Sequence, residues 1–460
     1  MGDVAAVTQG IQDRTRNDGF LGLNRNDNLH QTVNDLKGLS PAERNQAVAG
    51  LSDDDLKALA SDANSGGLLG ASGLSADEKR DMFNALAQGL DGQQLGRVAT
   101  AFGGRDDVAA LGKAVAQNAD SATKVDFIEQ LAPHAANGDH GTSVYVGGST
   151  IQDGDKEAGA IGEVLASLGN DPAAFDQGLA ALDKKALDAV ALAGIGQTTT
   201  TSVGYGGAGS VSVSHDTQQL SALVGAAANS TDPAVKARVL DASSGAIQTI
   251  RDNTRFPVVS LGTDAAVQQI TSQQTKLMNT DVRGIVDELN KADQYGKGLS
   301  TYLSEVLKAD PVGGSKVIGE QLAQLQGAGT GMTPTQFFEQ QVPGTTGAPY
   351  YRNAQSLGYF TGAMRNGLTS QNDDATRNGT IVKSIVLTAV SAAQIGPYGG
   401  AVLATAGQIV DRSVESANGD RTALGQALQD LAVPHDANGQ RYQGPATPTF
   451  DAKAANVRHN

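Results

Sequence analysis

The strongest constraint on this chain is a series of helix starts written in capping residues. Ser40-Pro41-Ala42-Glu43 and Ser75-Ala76-Asp77-Glu78 each set a hydroxyl three residues ahead of a glutamate. There the hydroxyl accepts from the N3 amide and the carboxylate reaches back to the cap amide, so two orphan donors are satisfied together. Pro41 adds a preset φ at the first helical position. Ser52-Asp53-Asp54-Asp55 places three carboxylates in a first turn, where the helix dipole favours anions. Asp171-Pro172, Asp232-Pro233 and Thr333-Pro334 repeat the combination of cap and proline. Sharp starts at this density predict a mainly α protein.

The starts fall in pairs, near Ser40 and Ser52, Ser75 and Asp91, Asp107 and Ser121, Asp155 and Asp171, and Asp216 and Asp232. The third and fourth pairs align without gaps at an offset of 50 residues, with Leu111-Gly112 over Ile161-Gly162, Val115-Ala116 over Leu165-Ala166 and Ser121 over Asp171. Asp155 and Asp171 recur as Asp216 and Asp232 at an offset of 61. An amphipathic pair cannot bury its apolar face alone, so such units stack. We therefore expect a helix–turn–helix repeat domain over 26–256, after a flexible N-terminal segment over 1–25. Two inserts interrupt it. Val144 to Val146 and Ser149 to Ile151 alternate around Gly147-Gly148 and predict a β-hairpin over 143–152. Thr198 to Val203 and Ser210 to Ser214 flank a glycine-rich tip and predict a second over 198–214. Since a lone two-stranded hairpin is marginal, two at equivalent positions could pair edge to edge.

Arg255-Phe256-Pro257 marks a boundary. A C-terminal helical domain is expected over 262–433, with helices at 264–278, 281–291, 294–309, 315–326, 351–368, 376–395, 401–416 and 421–432. A Gly/Thr/Pro loop region fills 327–350, and the Pro/Gly/Asn-rich stretch 434–460 reads as a disordered tail. Phe337, Phe338, Tyr350, Tyr351, Tyr359 and Phe360 concentrate in this domain and predict its most conventionally packed core, with a binding surface for a partner as the alternative.

Composition narrows the chemistry. The 460 residues include 57 glycines, no cysteine and no tryptophan. Without thiols there is no disulfide framework, no Cys-ligated zinc, no iron–sulfur cluster and no cysteine nucleophile. With 49 acidic and 34 basic side chains the net charge is −15, and aromatics make up 4%. Such a chain offers nucleic acid neither a phosphate-neutralising face nor a stacking platform. The core must come from Ala, Gly, Leu and Val, which allow close helix approach but bury less area per residue.

Catalytic motifs give no assignment. Gly204-Tyr205-Gly206-Gly207-Ala208-Gly209 satisfies G-x-G-x-x-G, but a Ser/Val strand follows where a dinucleotide site needs a helix. His134, Asp139 and His140 lie before the first hairpin, and His215 with Asp216 closes the second. Hairpins packed side by side would bring these five into a set suited to a divalent metal, and the alternative is exposed loop polarity. No catalytic residue and no cofactor is assigned.

The most informative stretch is 384–410, with 27 uncharged residues between Lys383 and Asp411. Its length suits a transmembrane helix. Gly396-Pro397-Tyr398-Gly399-Gly400 divides it into arms over 384–395 and 401–410. Those arms reach ~18 and ~15 Å against a ~30 Å hydrocarbon core, so neither spans alone. Two readings follow: a buried helical hairpin, or one that leaves its shelter to enter a membrane surface or a partner. The apolar faces would be Ile385, Leu387, Val390, Ile395, Val402, Leu403 and Ile409, with the turn at Gly396, Pro397 and Gly399.

The first twenty residues, MGDVAAVTQGIQDRTRNDGF, show no basic segment, apolar segment or cleavage site of a Sec signal. Gly2 is followed by Ala6 where myristoylation needs Ser or Thr. The high glycine count, the missing cysteine, the charge of −15 and the small polar start from Met1 to Gly19 together resemble proteins exported through bacterial type III machinery, including the harpin group. The resemblance implies secretion without a cleaved signal peptide, with a cytoplasmic location as the alternative. It also implies an effector or toxin-like role in which the C-terminal helical domain binds a protein partner or a membrane. An export chaperone and self-association are further associations of such a chain. Two other readings stand beside it, a structural scaffold of repeats and a metal-dependent hydrolase at the hairpin loops.

Overall fold

A computed structural model describes residues 4–16, 25–65, 73–135, 144–146, 149–151, 155–203, 209–253, 259–260, 263–292, 296–342, 350–371, 375–393 and 444–446. Among them the protein is mainly helical, with twenty helices and short strands. It forms two compact units, one of residues 1–197 and 218–230, the other of residues 198–217 and 231–460.

The first unit begins with α1 (Val4–Arg16), α2 (Arg25–Gly38), α3 (Pro41–Ala49) and α4 (Asp53–Asn64). It continues through α5 (Ala76–Ala87), α6 (Gly92–Phe102), α7 (Arg105–Asn118) and α8 (Ser121–Ala135). Strands β1 (Val144–Val146) and β2 (Ser149–Ile151) pair antiparallel. Then come α9 (Lys156–Ser167), α10 (Pro172–Ala180) and α11 (Lys184–Ala193), and after an excursion into the other unit α12 (Gln218–Ala228). Helices pack mostly on their second neighbours, α5 on α7 and α7 on α9, and in parallel α4 on α6, α6 on α8 and α8 on α10, while α9 packs on its third neighbour α12. Phe83, Leu95, Phe127, Ile161, Leu165, Phe175 and Val224 are fully buried along this array.

Capping chemistry sets the starts. Ser40, Ser52 and Ser75 accept from the N3 amides of Glu43, Asp55 and Glu78, whose carboxylates return to the cap amides. Asp91, Asp155 and Asp171 accept likewise at α6, α9 and α10. At α8 the cap is Asp120, whose carboxylate accepts from the Thr123 amide at 2.8 Å, rather than the expected Ser121. The backbone amide of Thr123 holds the Asp120 carboxyl below its usual range; Ser121 and then the Ala174 amide do the same for Asp171. Arg44 works at the opposite end of a helix. It is buried and donates to the carbonyls of Leu36 (2.8 Å) and Leu39 (2.9 Å) at the end of α2.

The segment read as flexible contains α1, which packs on α2, α3 and α4 and buries Ile11 completely. Arg14 pairs with Asp35 at 2.6 Å, and Arg16 holds the buried Asp55 at 3.0 Å. Val4, Val7 and Ile11 already carry a helical i, i+3, i+7 spacing, masked by the Gln, Thr, Asp and Arg around them.

The second unit takes β3 (Gly196–Val203) from Thr198 onward and β4 (Gly209–Asp216), then α13 (Pro233–Asn253) and β5 (Val259–Ser260). These strands form one sheet in the order β3-β4-β5, with β4 and β5 parallel. There follow α14 (Thr263–Thr280), α15 (Val282–Ala292), α16 (Lys297–Ala309), α17 (Pro311–Leu325) and α18 (Pro334–Phe338). A short antiparallel pair, β6 (Gln341–Val342) and β7 (Tyr350–Tyr351), leads into α19 (Arg352–Gln371) and α20 (Ala375–Ala393). At the centre, α16 packs on α13, α14, α17 and α19. The hydroxyl of its fully buried Tyr302 donates to Thr275 at 3.3 Å and accepts from Gln321 at 2.9 Å. Phe338, Tyr359, Phe360 and Met364 are fully buried as well, so the aromatic concentration is core. The glycine-rich tip 204–208, the GPYGG bend and the expected helices 401–416 and 421–432 lie outside the described residues. In the tail, Gly444–Ala446 is described and Ala446 is fully buried.

α17 starts at the Asp310-Pro311 cap, four residues before the expected helix, and runs through Gly313-Gly314. A Cβ at Gly314 would stand 2.6 Å from the Val306 carbonyl oxygen of α16, so the close pass of that helix accounts for a glycine inside α17. In the first unit, a Cβ at Gly92 would stand 2.5 Å from the Phe127 backbone nitrogen of α8, whereas one at Gly159 would meet nothing within 4 Å. Gly92→Ala should therefore cost about 1–3 kcal/mol of first-unit stability. Gly159→Ala, free of any clash, should add up to about 1 kcal/mol through helix propensity. Chemical denaturation of the two variants checks this, and equal effects would contradict the packing.

Candidate functional site

The sequence points to the start of the uncharged run, and residues 384–393 of it form the second half of α20. Ile381, Val382, Ile385, Val386 and Ala389 are buried, and their spacing makes one helical stripe. That stripe lies against α17, whose Ile318 and Leu322 are fully buried. Contact is close because Gly319 has no side chain; a Cβ there would stand 2.7 Å from the Ile385 carbonyl oxygen.

Leu387 falls off the stripe and is 48% exposed, one of few large apolar side chains so placed among the described residues. It lines a groove of ≈ 920 Å³ between α17 and α20 together with Lys316, Glu320, Lys383 and Ser391. So of the apolar residues singled out in sequence, Ile385 is core and Leu387 is surface. Val390 lies in α20, but its side chain is outside the described residues, as are Ile395, Gly396, Pro397, Gly399, Val402, Leu403 and Ile409 altogether. Among the described residues, no helix is long and apolar enough to cross a membrane.

A second feature had no signal in the sequence reading beyond its glycine-rich loop. After α17 the chain turns through Gly327, at φ +92°, where a Cβ would press on the Phe337 ring at 3.1 Å. The loop closes over a cavity of ≈ 330 Å³ lined by Arg283, Arg352, Asn353, Thr330 and Phe337, among others. Arg283 donates through Nε to Gln324 O at 2.8 Å and through Nη2 to Ala328 O at 2.9 Å. Its guanidinium carbon stands 5.7 Å from the centroid of the Phe337 ring. Burial pushes the Arg283 pKa down, against the opposing charge of Asp281. Beside the cavity, Asp287 is fully buried, with Arg352 Nε at 2.7 Å and Lys291 Nζ at 2.9 Å from Oδ2. The two cations offset a desolvated carboxylate that would be costly alone.

The two described histidines of the hairpin reading fall in different units. His134 is exposed in the last turn of α8 in the first unit, whereas His215 and the exposed Asp216 end β4 in the second. Asp139 and His140 lie outside the described residues. Among the described residues, no group of three or more His, Asp or Glu side chains is placed to hold a metal ion. His215 is half-buried, and its buried Nδ1 has no hydrogen-bond partner among the described residues. Next to it, Thr217 donates to Gln269 Oε1 on α14 at 3.0 Å and fastens the end of the strand.

Burial lowers the His215 pKa, because it disfavours the imidazolium. A depressed folded-state pKa stabilises the fold above the unfolded value of about 6.5 and loses that contribution as pH falls toward the folded value. Denaturation of the second unit between about pH 7.5 and about 5.5 should show this loss, and His215→Asn should flatten it. An identical slope in the variant would contradict the assignment.

No protein-family model matches the chain, and a comparison with curated proteins finds no match, so the functional reading rests on the residues and geometry just described.

Proposed function

We propose that this chain is a secreted bacterial effector or toxin-like protein that acts by binding, and that its second unit engages a protein partner through the α17–α20 groove. The observation that carries this reading is the division of labour on α20. Its apolar stripe is buried on α17, while Leu387 stands exposed in the groove that Lys316, Glu320 and Lys383 also line. An exposed apolar anchor in a groove with two lysines against one glutamate fits an amphipathic segment bearing carboxylates. Membrane entry fits less well, because it would separate α20 from α17 and uncover Ile385, Val386 and Ala389. Secretion is drawn from the cysteine-free, acidic, glycine-rich composition.

A scaffold role is the second reading, and the first unit favours it. Helix–turn–helix repeats are supported by the aligned positions: Leu111 with Ile161 and Val115 with Leu165 are all buried. Gly112 and Gly162 both sit where the next helix of the row comes close, against Ala160 and Gln219. The β1–β2 and β3–β4 strands then read as insertions between repeats. Stacked repeats create extended surfaces that serve binding or assembly equally.

Two measurements separate the readings. Fractionation of bacteria producing the chain under secretion-inducing conditions should place intact protein in the medium without a lysis marker. Retention in the cells, with concentration-dependent oligomers, would favour the scaffold. Dye-loaded anionic vesicles should stay sealed on adding the protein. Efficient leakage that folded Leu387→Asp abolishes would replace the protein partner with a membrane.

A further inference from the structure

The cavity beneath the 327–332 loop has a chemistry that the partner groove does not use. We propose that it binds a small organic oxyanion, a carboxylate or phosphate carried on an apolar body, with Arg283 and Arg352 gripping the charged end. Both guanidinium groups are held from behind. Arg283 is fixed by the carbonyls of Gln324 and Ala328 and by the Phe337 ring, and Arg352 by the Asp287 carboxylate. A guanidinium carries five N–H donors. Hydrogen bonds engage Nε and Nη2 of Arg283, Arg352 is held by the ion pair of its Nε with Asp287 Oδ2, and no other partner takes the remaining donors among the described residues. Two prepositioned forks on one cavity match the planar, two-oxygen acceptors that arginine prefers.

Most of the remaining wall agrees with such a ligand, and the one carboxylate on it sets its charge against Arg283. Asp281 lines the cavity, but its Oδ1 accepts from the Gly284 amide at 3.0 Å as the cap of α15. Thr330 and Asn353 are fixed by hydrogen bonds to Gly327 O at 2.6 Å and Phe337 O at 2.7 Å. Leu325, Met332 and Phe337 supply apolar surface for the body of the ligand. At ≈ 330 Å³ the cavity is at the small end of the ~300–1,000 Å³ range of ligand pockets, which suits a metabolite-sized molecule. Burial has already removed part of the hydration of Arg283, so a bound anion offsets a desolvation that the fold has imposed.

Calorimetric titration of the intact chain tests this with phenyl phosphate, benzoate and neutral benzyl alcohol as probes. Phenyl phosphate or benzoate should bind saturably at one site, with benzyl alcohol weaker by about tenfold or more. Arg352→Lys keeps a cation for Asp287 but removes the fork, and Arg283→Lys does the same across the cavity. Each should weaken the anionic probe by about tenfold or more. Phenylglyoxal labelling of the unaltered chain, read by peptide mass mapping, keeps the test decisive if a variant fails to fold. Phenyl phosphate should slow modification of Arg283 and Arg352. No saturable anion binding, undiminished binding by both folded variants, or labelling that ligand leaves unslowed would each overturn the proposal.

Discussion

Helix backbones in this protein come together at positions that have no side chain to give way. A Cβ added at Gly112 would lie 2.7 Å from Ala160 Cβ and 2.8 Å from its Cα, and one at Gly319 would lie 2.6 Å from Thr388 Cβ. Atoms do not pack at such distances, so the seams between α7 and α9 and between α17 and α20 depend on glycine. The dependence follows from composition. With aromatics at 4% and no disulfide, large side chains and cross-links cannot supply cohesion throughout. Close approach recovers dispersion contacts over long stretches of backbone instead, each small and together large.

Close packing leaves little room for polar groups, and several of those that are buried are held by charged or backbone partners. Arg44 gathers the last carbonyls of α2, Asp55 closes a capping box and receives Arg16, and Asp287 sits between Arg352 and Lys291. The same logic shapes the two candidate sites. α17 contributes to both, since one side of it lines the α20 groove and its C-terminal loop covers the arginine cavity. Arg283 spans from α15 to that loop, so the cavity's charge and its roof are secured by one side chain.

Local signals carried most of the fold, and they were legible because capping is local. Ser40, Ser75, Asp171 and Thr333 act at the helix starts where their residue types place them. What was not legible depends on contacts distant in sequence. α1 looked flexible because its few apolar residues gain meaning only against α2, α3 and α4. The expected helix began at 315 rather than 311 because the Val306 carbonyl that calls for Gly314 lies on another helix. The cavity was invisible for the same reason, since Arg283 and Arg352 are separated by more than sixty residues and nothing in either neighbourhood marks a site. The uncharged run was conspicuous, yet sequence could not divide Ile385 in the core from Leu387 on the surface, because that depends on which side of α20 meets α17.

The direct test of the glycine seams is a double-mutant cycle between Gly112→Ala and Ala160→Gly, read by chemical denaturation of the first unit. Removing the Ala160 methyl relieves the 2.7 Å contact and leaves the one to its Cα at 2.8 Å. Gly112→Ala should therefore cost at least about 0.5 kcal/mol less in the Ala160→Gly background than in the parent. Effects that add to within about 0.3 kcal/mol would mean that the two positions do not touch, and the account of how these helices are held together would fail.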